Sequence, residues 1–408
     1  MESKSEKSGK NMSDVQEINR SLVLKIIQQN DQCSRIEIAR ELGLRQTTIT
    51  NIVNDLLESE VVVETSLIRG ARGRRAIGLS LNNEKYRIVG VRLTRHHVLT
   101  GLFDLSGVQY AESRLKISAE EGVSAALKTV CKAISDMIRQ AKETSVLGIG
   151  VGIPGPYLRK SGSIAVMADF PGWDSVPLRN ELAQAFPFPV FVEYDAHVSA
   201  LAEWFAGRHY GSDSVLMSVL VEQGLGAGVV CDGTIFYGAQ GIAGNIGHMS
   251  IDYRGIPCEC GNVGCLRNYC TSKAVLHDVA DALKTSDTTS VLKNAEQLTL
   301  DDVIRAANSG DELARNAIRR AARYLGYGLT NAVYVYNPDV IVIGGEFSAA
   351  GELYLSEVRS VLNERLRSSI ASGVSVCFSE IKGDQVLRGT AMLVTNSTLQ
   401  SPSMYFKI

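Results

Sequence analysis

SRIEIARELGLRQTTITNIVNDLLES, residues 34–59, constrains the fold of this chain more than any other stretch. Ser34 and Glu37 stand in the S-x-x-E spacing of a capping box, which predicts a helix start and a short helix carrying Ile36, Ala39 and Leu42 inward. Gly43 supplies a tight turn, and a second amphipathic helix follows with Ile49, Ile52, Val53, Leu56 and Leu57 on its apolar side. Two short helices about a glycine turn make a helix-turn-helix unit. Arg45, Gln46, Thr47, Thr50 and Asn51 then face outward at the start of the second helix, with side chains suited to base edges and phosphates. A small helical hairpin with a polar outer face is the plainer alternative. The residues on either side favour the first reading. Val15 opens a preceding helix with Ile18, Leu22 and Ile26 at four-residue spacing on one face. VVVETS and AIGLSL read as two strands, joined by LIRGARGRR. That hairpin is a wing whose tip carries Arg69, Arg72, Arg74 and Arg75 with no acid nearby, a composition that suits the minor groove. Residues 14–80 are therefore expected to bind double-stranded DNA, behind a polar Ser/Lys-rich tail over 1–13.

The whole chain has 408 residues, too many for one ordinary core. Its net charge of -2 excludes an argument for nucleic acid from overall charge, so the wing and recognition helix must carry it locally. No apolar run reaches the length of a membrane span, and the start lacks a signal-peptide core, which points to the cytoplasm and no membrane insertion. In that compartment eight cysteines read as thiols or metal ligands rather than disulfides.

After residue 80 the texture changes to strands, glycine turns and helices. YRIVGVRLTRHHVLTGLFDLSGV reads as a meander, VLGIGVGIPGP as a buried strand, and FPVFVEYDAHVSALAEWFAG as a strand entering a helix at Tyr194-Asp195. SVLMSVLVEQGLGAGVVCDGTIFYG reads as a hairpin with an Asp-Gly turn, and a long helix leads into VIVIGG. Such alternation indicates an α/β protein of two lobes with ligand loops at strand ends.

His248, Cys258, Cys260 and Cys265 are close enough in sequence to converge on one ion. Three thiolates and an imidazole suit tetrahedral zinc, and a shell filled by protein marks a structural site, with one Zn2+ per chain. Four reduced, unligated side chains in a loop are the alternative. Cys270 falls outside the pattern and reads as a buried thiol. Packing explains the scattered Cys33, Cys131, Cys231 and Cys377.

GIPGP (152–156), FPGWDSVPL (170–178), YDAHVSALAE (194–203), AGNIGH (243–248), CECGNVGC (258–265) and NPDVIVIGG (337–345) together resemble the ROK family of sugar kinases and transcriptional repressors. The resemblance spans nearly the whole chain, and the N-terminal winged helix makes it similar to the repressors. It implies an N-terminal winged helix-turn-helix followed by a two-lobed actin-like ATPase fold. The small lobe would span 81–195, with a helix at 385–400 returning to it, and the large lobe 196–384. It also implies a homodimer or homotetramer, a sugar-derived effector in the interlobe cleft, and the same four metal positions.

Family kinases need an acid and a glycine in the first phosphate loop. The equivalent stretch here, Gly90-Val91-Arg92-Leu93-Thr94, has Arg92 at the acid position and Thr94 at the glycine position, so no kinase activity is expected. Asp195 matches the kinases' general base and is read as vestigial, or as a helix N-cap. The resemblance assigns the effector to Asp169, Tyr194, Asp195, Asn245, His248 and Arg267. Four of these depart from the kinase pattern, with Asp169 and Tyr194 for Asn and with Asn245 and Arg267 for Glu. Arg267 favours an effector with an acid or phosphate group, unless Asp169 pairs with it as a structural bridge. An ATP-dependent sugar kinase with a fused regulatory domain is the competing function. Control by a protein partner docking near the zinc loop is a third.

Overall fold

The computed structural model describes residues 11–30, 32–69, 75–164, 170–206, 214–285, 290–294 and 297–408. By internal contacts the chain divides into two units. One comprises residues 1–151, 179–192 and 390–408, the other 152–178 and 193–389. This division differs from the expected lobes. The winged helix groups with the strands that follow it, residues 152–178 group with the second unit, and the last helix is shared at residue 390.

The first unit begins with α1 (Met12–Gln29), α2 (Arg35–Leu42), α3 (Gln46–Glu58) and a hairpin of β1 (Val62–Arg69) and β2 (Arg75–Leu81). α1 starts earlier than the sequence spacing predicts because Asn11 and Asp14 form a capping box, the Asn11 side chain accepting from the Asp14 N–H at 2.9 Å and Asp14 accepting from the Asn11 N–H at 3.0 Å. The predicted capping box of α2 is present. The Ser34 hydroxyl accepts from the Glu37 N–H, and the Glu37 carboxylate accepts from the Ser34 N–H at 2.9 Å. Gly43 ends α2 at φ 63°, the left-handed conformation that favours glycine.

Two inward faces differ from expectation. On α1 the buried row is Val23, Leu24, Ile26 and Ile27, while Ile18 and Leu22 are exposed. On α2 Ile38 and Ala39 are buried, Leu42 is half-buried and Ile36 is exposed. The reason is shared: both helices carry adjacent apolar rows, and the packing of α1, α2, α3 and β2 on one another selects one row of each. Val23, Leu24, Ile27, Ile38, Ile49, Val53, Leu56 and Leu79 close the core of this module. Burial contributes roughly 1.5–3 kcal/mol for each large apolar side chain. Cys33 adds a rung to the wing, exchanging backbone hydrogen bonds with Leu79 at 3.2 and 2.9 Å.

Beyond the wing come β3 (Tyr86–Leu93), β4 (His97–Phe103), β5 (Gln109–Lys116), α4 (Gly122–Gln140) and β6 (Ser145–Ile153). After β7 (Tyr157–Leu158) and β8 (Ser163–Ile164), a short hairpin that belongs to the second unit, come α5 (Leu178–Ala185) and β9 (Val190–Tyr194). The sheet runs β5-β4-β3-β6-β9, and α4 buries Ala126, Val130, Ala133, Ile134 and Met137, packing on β3, β4 and β5. The chain's end returns to its start within this unit. Glu17 of α1 accepts from the Ser403 N–H at 3.0 Å and from its hydroxyl, and the Tyr86 and Phe406 rings meet edge-on at 5.2 Å.

The second unit contains α6 (Asp195–Ala206), β10 (Val215–Val221), β11 (Leu225–Cys231), β12 (Thr234–Ile235), α7 (Arg267–Cys270), α8 (Ser272–Thr285), α9 (Leu300–Asn308) and α10 (Glu312–Tyr336). It continues with β13 (Val340–Gly345), α11 (Glu352–Arg365), α12 (Ser368–Ala371), β14 (Ser375–Phe378) and the start of α13 (Gln385–Gln400). Its sheet runs β12-β11-β10-β13-β14, antiparallel on the β11 side and parallel through β13 and β14. The predicted Asp-Gly turn joins β11 to β12. Asp232 (φ 49°) and Gly233 (φ 69°) are both left-handed, as a two-residue type I′ turn requires. α10 buries the apolar side that includes Ala321, Leu325, Leu329 and Ala332 in a core shared with β10, β11 and β13.

Candidate nucleic-acid interface, metal centre and effector site

α3 opens at Arg45, whose side chain makes no cap, and exposes Arg45, Gln46, Thr47 and Asn51. Thr50 is half-buried, and its hydroxyl donates to the Gln46 carbonyl at 2.8 Å, so its proton is committed to its own helix. Gln46, Thr47, Thr50 and Asn51 line one groove of about 470 Å³ together with Arg35 and Ile36 of α2 and Ala76 and Ile77 of the wing. The wing backbone pairs Arg69 with Arg75, and the Arg75 side chain is exposed. Arg72 and Arg74 lie outside the described residues.

Ile36 and Ile77, 51% and 43% exposed, are additions that the sequence hid. Periodicity assigns an isoleucine beside other apolar residues to the core. Apolar contacts to thymine methyl groups are one way of reading the major groove. Arg35 is held in place by an ion pair with Glu64 at 3.0 Å.

His248, Cys258, Cys260 and Cys265 converge, their donor atoms all lying within 4.8 Å of one another. Cys258 Sγ is 3.7 Å from His248 Nδ1, and Cys260 Sγ is 3.7 Å from Cys265 Sγ. A tetrahedron of thiolates about 2.3 Å from zinc has edges of about 3.8 Å, so the donor set fits that ion. Burial, then Arg267, lowers the His248 pKa, which favours the neutral imidazole that a metal needs. Burial opposes the Cys260 thiolate, yet hydrogen bonds from the Asn262 backbone and the neighbouring thiols leave its pKa lowered. Cys265 is pushed up to about 12 by burial and by Cys258 and Cys260. A divalent cation is what relieves such crowding of thiolates. The loop closes tightly around the set. Gly264 sits at φ 70°, and a Cβ there would lie 1.7 Å from the Asp252 carbonyl oxygen.

Of the expected effector residues, Asp169 lies outside the described residues, and the other five belong to the second unit. Tyr194 ends β9 buried, its hydroxyl against Gly226 where a Cβ would lie 1.9 Å away. Burial raises its pKa, with Asp195 adding to the effect and Arg267 opposing it. Asp195 opens α6, its carboxylate accepting from the Ala196 N–H at 2.7 Å. Asn245 precedes the single turn 246–248 that delivers His248. Arg267 forms an ion pair with Glu259, which sits between two of the cysteines. That partner was not legible in the sequence, where Asp169 was the candidate.

Beside these residues lies a buried relay that sequence reasoning missed. His197, fully buried, places Nδ1 3.0 Å from Glu193 and Nε2 2.8 Å from the Ala243 carbonyl. It ties the first turns of α6 to the loop that carries Asn245.

In the β3–β4 hairpin, the Thr94 hydroxyl accepts from the N–H groups of His96 and His97 at 3.3 and 2.9 Å and donates to the His97 carbonyl at 3.0 Å. A phosphate cradle would need such backbone donors free.

A model of the ROK family matches residues 88–397. The chain belongs to the ROK family. A winged helix-turn-helix DNA-binding model matches residues 17–63. The xylose repressor of Caldicellulosiruptor bescii is 31% identical over 393 residues, covering 95% of this chain and 98% of its own. The DNA-binding transcriptional dual regulator NagC of Escherichia coli is also 31% identical, over 91% of each chain. Among solved structures, a ROK family transcriptional regulator described as a homolog of the Escherichia coli MLC protein matches with a TM-score of 0.83 at 26% identity, over 96% of this chain and 98% of its own. A ROK glucokinase from Streptomyces griseus shares the fold at a TM-score of 0.65 and 24% identity, over 75% of this chain and 98% of its own.

Proposed function

We infer that this ROK protein is a DNA-binding transcriptional regulator of carbohydrate-related genes, acting as a repressor that reads an operator through α3 and the wing. The observation that carries the reading is the single groove shared by Gln46, Thr47 and Asn51 with Ile36 and Ile77. Polar and methyl-contacting side chains there face the same way on a helix-turn-helix. The relatives named as repressors, matched along nearly their full length, support it. A sugar-derived effector contacting Tyr194, Asp195, Asn245, His248 and Arg267 would bias the protein away from its DNA-competent state.

Against a kinase stand Arg92 at the acid position and the Thr94 hydroxyl on the hairpin N–H groups. Asp195 alone, without a phosphate cradle, cannot transfer a phosphoryl group well. We assign zinc to His248, Cys258, Cys260 and Cys265, one ion per chain. With four protein donors its contribution is folding energy, not an activated water. Among the described residues no helix is long and apolar enough to cross a membrane.

The test is a gel-shift titration of the operator at several salt concentrations. Replacing Arg72 and Arg74 with Ala should weaken binding and flatten the salt slope, by about 0.9 for each phosphate no longer neutralised. Asn51→Ala should relax base preference with the slope kept. Unchanged affinity and slope in the arginine variant would remove the wing from the interface, and unchanged base preference in Asn51→Ala would remove α3.

A further inference from the structure

We propose that a cavity between the segment 250–252, α10 and the end of α11 is a second small-molecule site, separate from the effector residues, and that it takes a neutral saccharide. The cavity measures about 550 Å³, within the roughly 300–1,000 Å³ of small-molecule sites. Its floor is three half-buried rings, Tyr269 of α7 and Tyr324 and Tyr327 of α10, and its rim is the exposed Asp252, Asn331 and Arg365. None of Tyr194, Asp195, Asn245, His248 and Arg267 is among the described residues that line it. The angles between the rings select the shape of the ligand. Tyr269 and Tyr324 stand 5.0 Å apart at 44°, and Tyr324 and Tyr327 stand 6.3 Å apart at 79°. Neither pair is parallel, so a flat nucleobase or other aromatic ligand finds no slot in which to stack on both faces. A thick, puckered ring fits the open angle instead, setting its C–H groups on the electron-rich faces of the tyrosines.

Hydrogen bonding selects the polarity of the ligand. The Tyr269 hydroxyl accepts from the Ile256 N–H at 2.9 Å and the Tyr327 hydroxyl from Arg323 at 3.4 Å, so each keeps its O–H proton for a ligand. One Asp252 carboxylate oxygen accepts from the Arg254 N–H at 3.0 Å, which leaves the other as an acceptor at the rim. Arg365, held over the Tyr327 ring at 5.1 Å, brings N–H donors, and the Asn331 amide offers both a donor and an acceptor. The charges of Asp252 and Arg365 offset, and Arg323 is already paired with Glu357 and Glu364. A rim of balanced charge gives an anion no preference. Each hydroxyl of a sugar donates and accepts at once, which is what this mixture of groups asks of a ligand. The site also adjoins the metal loop, since the Ile251 N–H donates to the Gly264 carbonyl at 2.9 Å. A saccharide bound to Asp252 would restrain that loop without entering the effector site.

The test is saturation-transfer NMR on the full-length protein with glucose, xylose, N-acetylglucosamine and sucrose at millimolar concentrations, followed by titration of each sugar that binds. At least one should bind, and its phosphate ester should bind no more tightly. Asp252→Ala and Tyr324→Ala should each weaken that binding at least tenfold. Asp195→Ala combined with Asn245→Ala, which disables the effector site, should leave it in place. Should Tyr324→Ala fold poorly, the exposed Asp252→Ala decides. Silence from all four sugars overturns the proposal, as does tighter binding of the phosphate ester or binding indifferent to Asp252→Ala. Binding that disappears in the Asp195 and Asn245 variant and persists in Asp252→Ala also overturns it, while leaving the effector reading standing.

Discussion

Gly264→Ala tests the metal loop without touching a ligand. At φ 70° an alanine there takes the left-handed conformation, at a cost of roughly 1–2 kcal/mol. Its Cβ would also lie 1.7 Å from the Asp252 carbonyl oxygen and 2.6 Å from the carbonyl carbon, and neither atom can rotate away. The backbone must therefore part. The bonds at stake are the Ile251 N–H to the Gly264 carbonyl, 2.9 Å, and the Gly264 N–H to the Ile256 carbonyl, 2.8 Å, each contributing about 1 kcal/mol. The sum, about 3–4 kcal/mol, corresponds to a loss of zinc affinity of roughly a hundred- to several-hundredfold. Gly261 is the control. It too is left-handed, at φ 88°, but a Cβ there meets nothing within 4 Å, so Gly261→Ala should cost only the strain, roughly tenfold. Zinc content by elemental analysis, and affinity by competition with a chromophoric chelator, give the readout. Equal retention of zinc in the two variants would refute the argument from close approach. Metal-free wild-type protein would refute the centre itself.

Ser34→Ala removes the cap of α2 and should lower the stability of the winged helix by about 1–2 kcal/mol in a denaturant titration; a change below a few tenths would show the cap to be redundant. Burial, then Arg114, His96 and Lys116, lowers the His97 pKa. Its stabilising contribution is therefore present above the unfolded value near 6.5 and is lost as pH falls below it. Arg114 Nη2 lies 3.3 Å from His97 Nδ1, so Arg114→Met should raise the His97 pKa in an NMR titration and narrow that window, and an unmoved titration would contradict it. Burial, reinforced by Glu37 and Glu41, pushes the Cys33 thiol up to about 12, so at pH 8 it should resist thiol reagents until the winged helix unfolds; rapid labelling of native protein would count against the packing described.

What could be read from the sequence followed how local each signal was. The capping box of α2, the Gly43 turn and the wing strands depend on neighbours a few residues apart, and all lie where the spacing indicates. The four converging side chains, His248, Cys258, Cys260 and Cys265, were legible because they lie within 18 positions of one another in the sequence. The inward row of α1 was not. Val23, Leu24, Ile26 and Ile27 compete with Ile18 and Leu22, and only the docking of α2, α3 and β2 decides between them. Ile36 and Ile38 differ for the same reason. The Arg267–Glu259 pair and the His197 bridge to Ala243 join segments brought together by the fold, and nothing in their spacing announces them.

The clasp between Glu17 and Ser403 joins residues 386 positions apart. Ribosomes add roughly 5–20 residues per second, so α1 waits roughly 20–80 s for the partner that seats it. Until residue 403 is made, the helices and wing exist without that clasp. A truncation that removes Ser403 therefore acts 386 positions away, on the module made first.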